Sequence, residues 1–263
     1  MSAAPHTEML PCARPRWRRA ALAVAVAVFA VLWVGGVASP WLGRGRGDEG
    51  PLASLFLSLA GLIVLLGART RRGAVALGGV ALFGFAVEAV GVRTGLPFGA
   101  YAYTDVLRPQ LLGVPLVMAP AWMALVAYAC DFAARLRLPP RLAVIFAALW
   151  TTAADLVIDP LAVRHFGYWT WARGGSYYGI PFTNFVGWFL TALLACRVAG
   201  ASSRTNFWAG FVGAAIILFF AANALAHSLP LVALVGFALC AAHVYLSRSF
   251  RAGRGRAARS GGL

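Results

Sequence analysis

Residues 150–188 read WTTAADLVIDPLAVRHFGYWTWARGGSYYGIPFTNFVGW. The stretch opens as an apolar helix and carries two carboxylates into it, Asp155 and Asp159. Pro160 follows at once, and the residue before a proline is disfavoured in helical geometry. The pattern therefore predicts a helix end at 158, with Asp159 at a mouth or cap. A loop dense in aromatics comes next: Phe166, Tyr168, Trp169, Trp171, Tyr177 and Tyr178. Apolar sequence resumes at Pro181 and holds one amide, Asn184. Acids, an amide and aromatic rings between apolar flanks predict a site for a large apolar substrate, and the rest of the chain reads as its scaffold.

That scaffold lies in a membrane. Of 263 residues, 61% are hydrophobic and only 12% are charged, against about 25% charged in soluble domains. Apolar runs near the length of a bilayer span recur at 20–38, 51–67, 73–92, 111–133, 141–158, 182–196, 207–226 and 229–246. They predict an all-α polytopic transmembrane helical bundle of about eight spans. The domain plan is a basic tail at 1–19, one transmembrane domain at 20–246, and a basic tail at 247–263. Glycine and charge in the last segment predict disorder. The first run ends in Gly36-Val37-Ala38, loosely like a cleavage site, but nineteen apolar residues exceed a signal-peptide core and read as a retained helix. The turn 227–230 is tight, and a seven-span plan with one broken helix there is the alternative.

The net charge of +15 comes from 23 arginines and no lysine. No soluble segment remains to carry nucleic-acid binding, so these charges read as cytoplasmic loops beside anionic lipid. With eight spans, the tails and the loops near 70, 137 and 200 hold 17 arginines, while the loops near 45, 100, 170 and 228 hold 6. Both termini are then cytoplasmic, in the cytoplasmic membrane of a bacterium. The four cysteines form no CxxC pair, and the four histidines have no HxxxH or HExxH spacing, so neither a metal nor a disulfide framework is expected.

Topology sorts the eight acids. Glu8, Asp48 and Glu49 lie in a tail and a loop. Asp131 has Arg135 one turn later and reads as a structural pair. Glu88, Asp105, Asp155 and Asp159 come from three segments to one depth. Glu88 lies about four residues, or roughly 6 Å, inside the end of its helix. A carboxylate there must face the bundle interior, find a donor or remain protonated. Gly84 and Gly91 beside it allow close approach. Thr151, Asp155 and Asp159 form one stripe, Asn184, Trp188 and Thr191 a second, Asn223 and His227 a third; the three can converge on one polar pocket, although hydrogen-bonded packing alone explains any single one. An interfacial aromatic belt explains two or three aromatics per loop, but not six between 166 and 178. Buried carboxyls that donate a proton to an alkene, rings that stabilise the cation, and a second carboxylate that takes a proton from water make a hydratase. The same parts suit a cyclase or isomerase, and residues alone leave these open.

The segments VEAVGVRTGLPFGAYAYTD (87–105), GVPLVMAPAW (113–122), DLVIDPLAV (155–163), GYWTW (167–171) and YYGIPFTNFVGWFLT (177–191) resemble the CruF-type carotenoid 1,2-hydratases of carotenoid biosynthesis. The resemblance implies addition of water across the terminal double bond of an acyclic carotenoid end group, giving a tertiary alcohol, without a cofactor. It implies a carotenoid taken from the bilayer, contact with membrane lipids, and neighbours among other carotenoid-pathway membrane enzymes. Glu88, Asp155 and Asp159 are the expected acid and base. Tyr101, Tyr103, Asp105, Trp122, Tyr168, Trp169, Trp171, Tyr177, Tyr178, Asn184 and Trp188 are the expected substrate pocket. The rivals are another prenyl-chain enzyme (a cyclase or prenyltransferase) and a non-enzymatic pigment-binding or transport protein.

Reporter fusions test the topology. Fusions after residues 70, 137, 200 and 255 are expected to report cytoplasm, and those near 45, 100 and 170 the outside. A cytoplasmic reporter at 170 contradicts the placement of the site.

Overall fold

The computed structural model describes residues 15–43, 49–200 and 206–260, with side chains to Arg248. Eight helices follow one another: α1 Arg16–Ala38, α2 Gly50–Gly67, α3 Arg71–Thr94, α4 Met118–Arg135, α5 Pro140–Arg164, α6 Phe182–Ala199, α7 Phe207–Ala226 and α8 Pro230–Ser260. Seven of them are long and apolar enough to cross a membrane. The exception is α4, which sits in the middle, packed against α2, α3, α5, α6, α7 and α8. Enclosed by protein, it has little lipid to satisfy. It can therefore carry Asp131 and Arg135, while Trp122, Tyr128 and Phe132 fill the core. At 18 residues it still measures about 27 Å. The fold is thus an all-α polytopic bundle. His227–Leu229 makes a closed turn in which the Leu229 N–H donates to Ala224 O, so α7 and α8 are two helices and not one broken one.

Helix ends gather at two faces. At the arginine-rich face, Arg18 donates to the carbonyls of Leu65 and Ala68 and closes the end of α2. Asp131 accepts from Arg135 Nε at 2.8 Å and from the Asn206 N–H at 2.7 Å. Asn206 in turn caps α7 through Trp208 N and donates to Val64 O. The expected Asp131–Arg135 pair therefore exists and also ties α4 to the start of α7. The opposite face holds the ends of α3, α5 and α7 and the long connections.

Two of these connections differ from the sequence expectation. Residues 111–117 do not open α4. They belong to a hairpin of β2 (Gln110–Leu111) and β3 (Val114–Pro115), since Leu112 and Gly113 turn the chain with positive φ. Further on, Pro160 does not end α5. The helix runs through it to Arg164, and Asp159 is buried inside the helix rather than at a mouth. A proline at 160 leaves the Leu156 carbonyl without its helical donor. Tyr177 supplies one, its hydroxyl donating to Leu156 O at 2.9 Å. At the C-terminus α8 runs on to Ser260, where composition predicts a disordered tail. Glu8, Cys12, Asp48 and Arg204 lie outside the described residues.

Small residues let the helices close up, as is common where lipid removes the hydrophobic drive between them. The tightest case is Gly213 of α7 against Tyr128 of α4, where an added Cβ meets the Tyr128 ring at 2.0 Å. Overpacking of this kind costs about 1–3 kcal/mol. Gly213→Ala is expected to lower the melting temperature of purified protein in detergent. An unchanged melting temperature contradicts the α4–α7 contact.

Candidate active site

The site starts with a pleat. Strand β1 (Tyr101–Tyr103) pairs antiparallel with β4 (Trp169–Trp171), in the register Tyr101↔Trp171 and Tyr103↔Trp169. Thr104 pins the end of the ladder through its N–H to Tyr168 O and its hydroxyl to Gly167 O. Alternate residues of a strand share a face. One face therefore carries Tyr101, Tyr103, Trp169 and Trp171, with ring centroids of the cross-strand pairs 5.2 and 5.8 Å apart. Ala102 and Thr170 point the other way and are exposed. The aromatic face covers the ends of α3 and α5, where the acids are.

Glu88 of α3 is 4% exposed and accepts three hydrogen bonds. Tyr101 OH and Tyr103 OH donate to Oε2, the latter at 2.9 Å, and Trp122 Nε1 donates to Oε1 at 2.9 Å. Burial, and then the Glu88 charge, push both tyrosine phenols above their ordinary range, so they keep their protons and act as donors. Gly84 makes room for Trp122: a Cβ there meets the Trp122 ring at 2.4 Å. Trp122 also stacks on Trp188 of α6 at 4.2 Å.

Asp155 and Asp159 lie one turn apart on α5 and are 0% and 1% exposed. They meet on one nitrogen. Asn184 Nδ2 of α6 donates to Asp155 Oδ2 at 2.8 Å and to Asp159 Oδ2 at 2.7 Å. Trp169 Nε1 donates to Asp159 Oδ1 at 2.7 Å, while Asp155 Oδ1 is buried and receives no donor. Hydroxyls, indoles and an amide surround the three acids, all of them neutral. Among the described residues, the two arginine–carboxylate pairs, Asp105–Arg108 and Asp131–Arg135, lie elsewhere. Among the described residues, no three His, Cys, Asp or Glu side chains are grouped to hold a metal ion.

A cavity of about 20 Å³ lies inside this cluster, bordered by Glu88, Asp159, Asn184, Trp169, Trp171 and Trp188, with Tyr101 and Tyr103 on the strand side. Phe98 and Met118 also line it. They were not singled out in the sequence, since a lone Phe or Met in apolar sequence carries no signal. Five expected pocket residues do not line it. Trp122 stands behind Glu88 as its donor. Asp105 is 84% exposed at its side chain and pairs with Arg108 at 2.7 Å. Tyr177 serves the Leu156 carbonyl, and burial raises its phenol to about 12. Tyr178 lies under Arg164, 5.7 Å from ring centroid to guanidinium. Tyr168 lines a second cavity of about 680 Å³ between α1, α2 and α7. Asn223 and His227 line that second cavity too, so the stripe on α7 does not converge with those on α5 and α6.

The residues that build this cluster fall within a segment with known counterparts. A family model described as carotenoid biosynthesis protein matches residues 50–246. The chain belongs to that family. Within it, the chain is similar to bisanhydrobacterioruberin hydratase of Haloarcula japonica, 37% identical over 131 residues. That match covers 48% of this chain and 44% of the relative, so the chain spans less than half the length of the relative it matches. No solved structure is significantly similar.

Asp131 provides the control for this carotenoid biosynthesis protein. Its bonds serve Arg135 and Asn206 at the arginine-rich face, away from the acid cluster. Asp131→Asn is expected to lower stability, because one buried partner is lost, by about 1–3 kcal/mol. Activity per folded molecule in carotene-containing membranes is expected to stay within a few-fold of wild type. A loss as deep as that of Asp155→Asn sinks the structural assignment.

Proposed function

We propose that this carotenoid biosynthesis protein is a hydro-lyase that adds water across the terminal C1=C2 double bond of an acyclic carotenoid end group, giving a tertiary alcohol. The observation that carries the reading is the meeting of Asp155 and Asp159 on a single amide nitrogen, with Glu88 among donors across a small cavity. The family and the hydratase relative support the substrate class. The long apolar helices support a substrate drawn from the bilayer, and the cytoplasmic membrane of a bacterium is the proposed location.

Two adjacent carboxylates sharing one neutral donor cannot both stay charged in a dry site. Asp159 takes two donors and Glu88 three, which suits carboxylates. Asp155 Oδ1 takes none, which suits the neutral acid. Asp155 also lies one turn further along α5 from the aromatic face. Its O–H bond breaks as a C2–H bond forms, leaving a tertiary cation at C1. Indole faces such as Trp188 stabilise a cation by about 2 kcal/mol or more when dry. Water then attacks C1, and its proton passes to Asp159 or Glu88, so the cluster ends with as many protons as it began. No redox partner is needed.

Expression in a bacterium that accumulates an acyclic carotene, followed by mass analysis, tests the reading. Product heavier by one water, with its oxygen drawn from isotopically labelled water, is expected. An isomeric ring points to a cyclase, and unchanged pigment to a non-enzymatic role. General acid–base catalysis contributes about a hundred- to ten-thousandfold. Glu88→Gln, Asp155→Asn and, since Asp159 is buried, Asp159→Asn are each expected to lose at least a hundredfold on that scale, with carotene still retained. Near-normal turnover in all three contradicts the assignment.

A further inference from the structure

The cavity in the acid cluster is too small for a carotenoid end group. A water molecule needs about 10–15 Å³ of probe-occupied space and two to four polar partners. A space of about 20 Å³ therefore has room for a water. Its polar border is specific. Glu88 and Asp159 face it from α3 and α5, and each brings acceptor oxygens. From β4 comes Trp171, whose buried Nε1 lies toward Asp159 without completing a hydrogen bond to it, while Trp169, two residues earlier on the same face, commits its own N–H to Asp159. A buried indole N–H without a well-aligned acceptor is costly, and an oxygen in the cavity supplies one.

We propose that this cavity seats the water that is added, and that Trp171 is the positioning residue that orients it. The inference rests on the hydration reading. Water is tetrahedral, with two protons and two lone pairs. Its protons go to Glu88 and Asp159, and Trp171 Nε1–H occupies one lone pair. One lone pair remains, and it is the one that forms the C1–O bond. As that bond forms, one water O–H breaks toward the carboxylate it already faces. Without the Trp171 N–H the water keeps its place but not its aim. The cation at C1 then has longer to return a proton from carbon and give back the alkene.

This predicts a change in partition and not only in rate. Reactions run in deuterated water put deuterium on C2 at the protonation step. In wild type the cation is captured, so recovered carotene carries little deuterium for each molecule hydrated. Trp171→Phe keeps an aromatic ring and removes the N–H. Loss of one oriented hydrogen bond is worth about a factor of ten. Hydration in this variant is expected to fall about tenfold, and the ratio of deuterium in recovered carotene to hydrated product to rise at least as much. If Trp171→Phe does not accumulate, benzothienylalanine at position 171, with sulfur in place of N–H, keeps the shape of the indole and reports the same ratio. A ratio equal to wild type in either variant, whatever the rate, overturns the proposal and leaves Trp171 as packing. Wild-type protein that neither hydrates nor exchanges instead refutes the hydration reading on which it rests.

Discussion

Two carboxylates on one turn of α5 share one amide nitrogen on α6, and the surrounding half of the molecule is arranged to keep that contact from bulk solvent. Each carboxylate buried without a cation needs neutral donors in place of water. Asn184 supplies two of them from a single atom, which fixes α6 against α5 at the depth of Asp155 and Asp159. Trp169 supplies a third and ties β4 to the same pair. Because β4 pairs with β1, the strand that carries Tyr101 and Tyr103 is held over Glu88 as well. The acids thus order the aromatic sheet, and the sheet shields the acids from bulk solvent.

Position along the helix matters as much as contact. Pro160 follows Asp159 directly, and the structure keeps α5 helical through it only because Tyr177 satisfies the Leu156 carbonyl. The loop from Gly174 to Ile180 is built to bring Tyr177 there. Gly175 passes so close to Ile180 that a Cβ would meet its carbonyl oxygen at 2.0 Å. One tyrosine in an aromatic-rich loop therefore holds the helix that positions the acids, with no part in the pocket itself.

Much of this was legible in the sequence. Charge scarcity and apolar runs fixed the bundle, because lipid demands both. The stripes Asp155–Asp159 and Asn184–Trp188 met as their helical spacing implied, and Glu88 was legible because a carboxylate within a span must find partners. The misses have local causes. Proline rules place a helix end at 158, but a side chain 21 residues along the chain from Leu156, that of Tyr177, replaced the missing donor. The hydropathy of 111–117 hid a hairpin, since Leu, Val and Pro serve a buried turn as well as a span. Aromatic density could not say which ring faces which cavity. That depended on the pleat of β1 and β4, which sends Trp169 and Trp171 one way and leaves Tyr168 to the cavity beside α1. Asp105 shared the depth of the acids but not their direction.

The assignment of the proton to Asp155 is the claim on which the chemistry turns, and infrared difference spectroscopy of the protein in lipid reads it directly. A neutral carboxylic acid shows a carbonyl stretch apart from the bands of carboxylates and amides. The wild-type spectrum is expected to contain such a band from the acid cluster, retained in Glu88→Gln and lost in Asp155→Asn. A band that survives Asp155→Asn and vanishes in Glu88→Gln would place the proton on the other side of the cavity and contradict the account.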